Sequence, residues 1–163
     1  MRKKIGYLIL ILVIGIQFIR PARNLGNTTG PNEIGLKYAI PQEVSKILEK
    51  SCYDCHSNHT DYPWYTNIQP VGWWMQWHVN EGKRHLNYTE FASYEPKRAR
   101  GKFKETVDQV KGDEMPLNSY LWIHRDAILS DSEKQILVSW ADSLQHQLTR
   151  QYNLPPPEDN RQR

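Results

Sequence analysis

Cysteine is scarce in this sequence. Its 163 residues hold two, Cys52 and Cys55, so one disulfide at most is available and a zinc site of four cysteines is excluded. Strand-like alternation of apolar and polar residues is missing, as is any internal repeat, which argues against a sheet and for an all-α fold. Acidic residues are missing from the first 23 positions, whereas five of the 21 Lys and Arg fall there: Arg2, Lys3, Lys4, Arg20 and Arg23. The remainder carries 16 basic against 18 acidic side chains. The formal excess of +3 therefore belongs to one end of the chain, and no basic surface is left to argue for a nucleic-acid partner.

What that end does contain is an uncharged apolar run over residues 5–19, behind a cationic start. This is the pattern of an export or membrane signal. Fifteen residues of helix rise about 22 Å against a hydrocarbon core of roughly 30 Å, with Lys4 and Arg20 placed to snorkel at either end. The flank QFIRPARNLG is bulky and cationic where a cleavage site wants small residues, which favours an uncleaved anchor over residues 1–23. Positive charge ahead of the run puts the N-terminus in the cytoplasm and the body outside it. The expected location is the bacterial cytoplasmic membrane, with the domain facing the periplasm.

Residues 24–40 are rich in Asn, Gly and Thr and read as a tether. One domain follows over residues 41–150. Pro41 opens a helix whose Val44, Ile47, Leu48 and Ser51 share one face and which runs into the cysteines. A second helix is expected over VGWWMQWHVNEGKRHL, its tryptophans packing as core around Met75. A third carries Ala99, Phe103, Val107 and Val110 and stops at Gly112. Ser130 and Glu133 form a capping box for a last helix with Ile136, Leu137, Trp140, Ala141, Leu144 and Leu148 in one stripe. The run KRAR at residues 97–100 reads as solvated surface, and residues 151–163, proline-led and polar, as a disordered tail.

The chemistry lies in SCYDCHSNH. On a helical turn Cys52 and Cys55 project from nearly one face, with His56 four residues after Cys52. Two thiols so placed can add to the two vinyl groups of one haem while the imidazole reaches the iron, and C-x-x-C-H is a c-type haem attachment signal. The rival readings each lack a part. A zinc site has only His59, crowded against His56, to complete it; a thioredoxin-like dithiol expects a βαβ setting; a disulfide across four residues would stabilise little. Residues 1–23 would deliver the domain to the compartment where bacteria attach haem. One covalent haem c with its iron is the expected cofactor.

A sixth iron ligand distinguishes electron transfer from an open iron that binds gas or peroxide. Met115, in the irregular segment GDEMPLNSY, is the first candidate, and a core gap-filling role is the plain alternative. His78, on the tryptophan-rich helix, is the second candidate. Trp64, Trp73, Trp74, Trp77, Trp122 and Trp140 either line a haem crevice or pack helices.

The order of C-x-x-C-H, Met-Pro and LSDSEKQILVSWADSL resembles a class I cytochrome c. The stretch CYDCHSNHTDYPWYTNIQPVGWWMQWHVNEGKRHLNY more closely resembles the small bacterial haem-binding-domain family of membrane-tethered proteins with one C-x-x-C-H. The resemblance covers roughly residues 35–150. It implies a cytochrome c-like helical domain, thioether sites at Cys52 and Cys55, and His56 as proximal ligand. The long tryptophan-rich insert departs from a minimal class I cytochrome. Two functions follow: electron transfer with a redox protein partner, or a haem sensor or peroxidase-associated module with His78 or His85 beside an open iron.

Overall fold

The structure, a computed structural model, describes residues 2–156. Seven α-helices make up its order: α1 Arg2–Ile16, α2 Gln42–Ser51, α3 Tyr53–His56, α4 Val71–His85, α5 Pro96–Lys111, α6 Asn118–Leu121 and α7 Asp131–Gln151. Short 3-10 turns lie between them, and no strand occurs among the described residues beyond one isolated bridge between Leu25 and His59. The all-α expectation holds.

The helix ends follow local chemistry. Pro41 precedes α2, and the buried side chains of α2 are Val44, Ile47, Leu48 and Ser51. Pro96 starts α5, where its missing N–H costs nothing, and Gly112 caps the other end. Asp113 then takes a left-handed φ of 55°, which turns the chain out of the helix. On α7 the Ser130 side chain accepts from Glu133 N while Glu133 accepts from Ser130 N, the expected capping box.

The core is built chiefly between α5 and α7, with α2 packed against the start of α7. At its centre Phe103 meets Tyr38, Phe91 and Trp140 with ring centroids 4.9–5.6 Å apart. The Trp140 indole donates to Ala39 O at 3.0 Å. Phe103 is 1% exposed, so Phe103→Ala is expected to cost about 3–5 kcal/mol through lost transfer energy and a cavity. Denaturant titration checks this; a loss below about 1 kcal/mol would mean that the site collapses around the gap or that the core is centred elsewhere.

Four expectations are corrected. Residues 24–40 are not a tether: Ile34 and Tyr38 are core residues, and buried Asn24 donates through Nδ2 to Ser57 O and Thr60 Oγ1. The second helix buries Gly72, Met75, Gln76 and Val79 and leaves Trp74 and Trp77 outside. Arg100, in the expected solvated run, is buried and donates to Pro155 O. Helix α7 reaches Gln151, inside the span expected as a disordered tail; residues 157–163 of that span lie outside the described residues. At the other end, α1 projects with every apolar side chain from Ile5 to Ile14 exposed. No helix among the described residues is long and apolar enough on its own to cross a membrane.

Candidate functional site

Cys52 lies at the junction of α2 and α3, and Cys55 and His56 on the single turn of α3 that follows. His56 N donates to Cys52 O at 2.9 Å, so the motif closes one helical turn, with Cys52 packed against the core at its start. Its position is held from four sides. Lys50 bridges to Glu133 at 2.6 Å, tying the end of α2 to the start of α7 and, with the Ser130 bonds, holding the Glu133 carboxyl down at about 2. Ser51 Oγ donates to Ala127 O at 2.9 Å. Asp54, between the cysteines, accepts from Tyr120 Oη at 2.8 Å and from Asp61 N at 3.0 Å.

A further side is α4, and it carries the most informative contact. His56 Nδ1 lies 3.0 Å from both Gly82 O and Leu86 O. A ring nitrogen facing two carbonyls must carry the proton, so Nε2 keeps its lone pair. None of the hydrogen bonds among the described residues uses Nε2. Burial lowers the imidazole pKa, against the opposing pull of the Leu86 and Gly82 carbonyls, and keeps the ring neutral as a metal ligand requires. The close approach depends on Gly82. A Cβ there would lie 2.5 Å from Cys55 O and 3.1 Å from Cys55 Cβ, so only glycine lets α4 pack this near the motif.

Both cysteines are free and half-buried. Burial, with Cys55 beside it, pushes the Cys52 thiol up to about 12; burial and Asp54 push Cys55 to about 12. A redox dithiol needs the opposite, a thiol lowered toward 7. Zinc finds no support either. Among the described residues no group of three or more His, Cys, Asp or Glu is arranged for a metal ion, and His59 Nδ1 faces Gly26 O at 3.0 Å.

The remaining candidates divide. Met115 is half-buried in the loop after α5, its N–H on Gln109 O at 3.2 Å. Three residues on, α6 begins, and its Tyr120 reaches Asp54, so the Met115 segment runs on into the C-x-x-C-H turn. His78 lies one turn before Gly82 on α4, its Nδ1 on Trp74 O at 2.8 Å and its ring between Trp74 and Trp77, with centroids 4.3 and 4.7 Å away. His85 is exposed and sits beside Glu81. A cleft of about 400 Å3 is lined by residues of the 23–31 segment with Asn58, Lys83, Thr89 and Glu90, and it includes none of the three motif residues.

Sequence reading did not find Gly82, Leu86 or Tyr120. A glycine inside the helical stretch WHVNEGKRH was the available signal, since such a residue costs about 1 kcal/mol against alanine and usually has a packing reason.

The donor set fits a haem: two free thiols one turn apart, and a neutral imidazole with its second nitrogen already committed. Comparison with curated proteins and with solved structures returns no match. A model of the haem-binding domain matches residues 11–143, from within α1 to well into α7, and the chain belongs to that haem-binding family.

Proposed function

We propose that this protein transfers electrons on the outer side of the bacterial cytoplasmic membrane, carrying one covalent haem c in a cytochrome c-like site and anchored through α1. The observation that carries the reading is the His56 ring, whose Nδ1–H is committed to Gly82 O and Leu86 O and whose Nε2 is left as a donor atom. The bound haem supplies a one-electron iron couple. The chain does the rest. Cys52 and Cys55 would hold the haem covalently, each thiol S–H adding across one vinyl group so that sulfur gains a C–S bond and the proton goes to the neighbouring carbon, with nothing released.

His56 would hold the iron through Nε2, and its carbonyl partners would fix the ring plane and raise its basicity. Met115 would supply the second protein donor. Its attachment to α3 through α6, Tyr120 and Asp54 favours it over His78. With both residues holding the iron, no site would remain for gas or peroxide, which would suit exchange of electrons with a redox protein rather than catalysis.

The test is extraction. From protein matured in a host with c-type assembly machinery, acid–acetone should leave the haem on the polypeptide, and Cys52→Ser with Cys55→Ser together should free it. Haem extracted completely from the wild type removes the covalent reading.

A further inference from the structure

The corner of the domain where α1 enters is apolar, and the chain that leaves α1 is hydrogen-bonded to it. Beyond Ile16 the chain continues as a tight turn, with Gln17, Phe18 and Ile19 each donating to the carbonyl three residues back. Gln17 and the Gln69 backbone bond in both directions, at 3.2 and 2.9 Å. The Trp73 indole donates to Ile19 O at 2.7 Å, and Arg23 donates to Asn67 Oδ1 at 2.6 Å. These contacts tie the segment that leaves the apolar helix to residues 67–73 at four points. Around the junction Phe18, Trp64, Ile68, Val71 and Trp74 are exposed, Phe18 by 82% and Trp64 by 75%.

We infer that this corner is a membrane-docking surface that sits in the headgroup layer, so that the domain is held against the bilayer in one orientation. The inference rests on the anchor reading of α1 and explains its shortness. Fifteen helical residues span about 22 Å of a roughly 30 Å core, and a short span is accommodated by drawing its flanks into the interface. The flank here suits that layer. Two indoles with apolar neighbours match the boundary between acyl chains and headgroups, and the guanidinium groups of Arg20 and Arg23 match lipid phosphates. The Ile19 carbonyl, which ends the helical turn, already has its hydrogen bond from Trp73, so it enters a low-dielectric layer satisfied.

The experiment uses the full, reduced, haem-loaded chain with 5-fluorotryptophan in nanodiscs. The six fluorine lines are assigned by single Trp→Phe variants, and a fraction of the lipid carries a headgroup gadolinium chelate. The Trp64 and Trp74 lines should broaden severalfold more than that of Trp140, which lies in the core. If the protein remains in the nanodisc through an alkaline carbonate wash while Trp64 and Trp74 broaden no more than Trp140, the docking surface is wrong and the anchor stands. If the wash strips the protein from lipid, the anchor reading fails and the docking surface fails with it.

Discussion

Met115→Ala should turn a ferrous protein that ignores carbon monoxide into one that binds it on mixing. A thioether held on iron leaves no vacant position, and alanine has no donor atom to replace it. The ferric wild type should show the weak far-red band expected of methionine-to-iron coordination, and the variant should lose it. A thioether also favours ferrous over ferric iron, so its loss should lower the variant's reduction potential. His78→Ala is the matched control. It removes a half-buried ring that packs between Trp74 and Trp77, and it should leave both spectra and carbon monoxide reactivity nearly unchanged. If His78→Ala alone opens the iron, the site is bis-histidine with a lower potential. If the wild type binds carbon monoxide rapidly and Met115→Ala changes nothing, Met115 is a packing residue and the sensor or peroxidase-associated reading takes over.

Helices whose apolar residues form a single stripe were legible from the chain. The buried face of α2 follows the i, i+3, i+4, i+7 pattern, and the start of α7 follows Ser130 and Glu133. Helix α4 was not legible in this way, because apolar side chains occur on both of its faces. The face that is buried carries Gly72 and Gln76, which hydropathy ranks as outside. Gly72 is there because any Cβ would lie 2.4 Å from Thr66 O, and Gln76 because its Oε1 accepts from Tyr62 Oη at 2.7 Å. Residues 24–40 misled for a related reason. Their polar side chains are structural: Asn24 fills a buried hydrogen-bonding position between Ser57 and Thr60, and Asn32 Nδ2 donates to Glu90 at 3.1 Å. Composition does not distinguish a buried, satisfied asparagine from a solvated one. The C-x-x-C-H turn was plain in the sequence, since its chemistry is set by spacing within one helical turn. The carbonyls that orient His56 were not, since they come from the backbone 26 and 30 residues further along.

Gly82→Ala should destabilise this protein and disturb its haem motif, and Gly101→Ala should stabilise the protein. Both glycines lie inside helices, so both gain about 0.5–1 kcal/mol from reduced backbone entropy when replaced by alanine. At Gly101 nothing lies within 4 Å of the new Cβ, and that gain should appear undiminished as a higher unfolding temperature. At Gly82 the new atom would lie 2.5 Å from Cys55 O, a backbone atom in the middle of the haem motif that has no rotamer to move away. Relief requires α4 to shift from α3, and overpacking of this kind costs about 1–3 kcal/mol, more than the helix propensity returns. The shift also carries Gly82 O and Leu86 O away from His56 Nδ1, lengthening both bonds. A proximal imidazole with a weaker Nδ1–H partner is less basic and stabilises ferric iron less, so the reduction potential of the haem-loaded Gly82→Ala protein should rise. Thermal unfolding and potentiometric titration of the two variants separate the effects. Gly101→Ala should raise the midpoint and leave the potential alone, whereas Gly82→Ala should lower the midpoint and raise the potential. A Gly82→Ala protein as stable as the wild type with the same potential would show that α4 does not press on the motif and that His56 is oriented by something other than these two carbonyls.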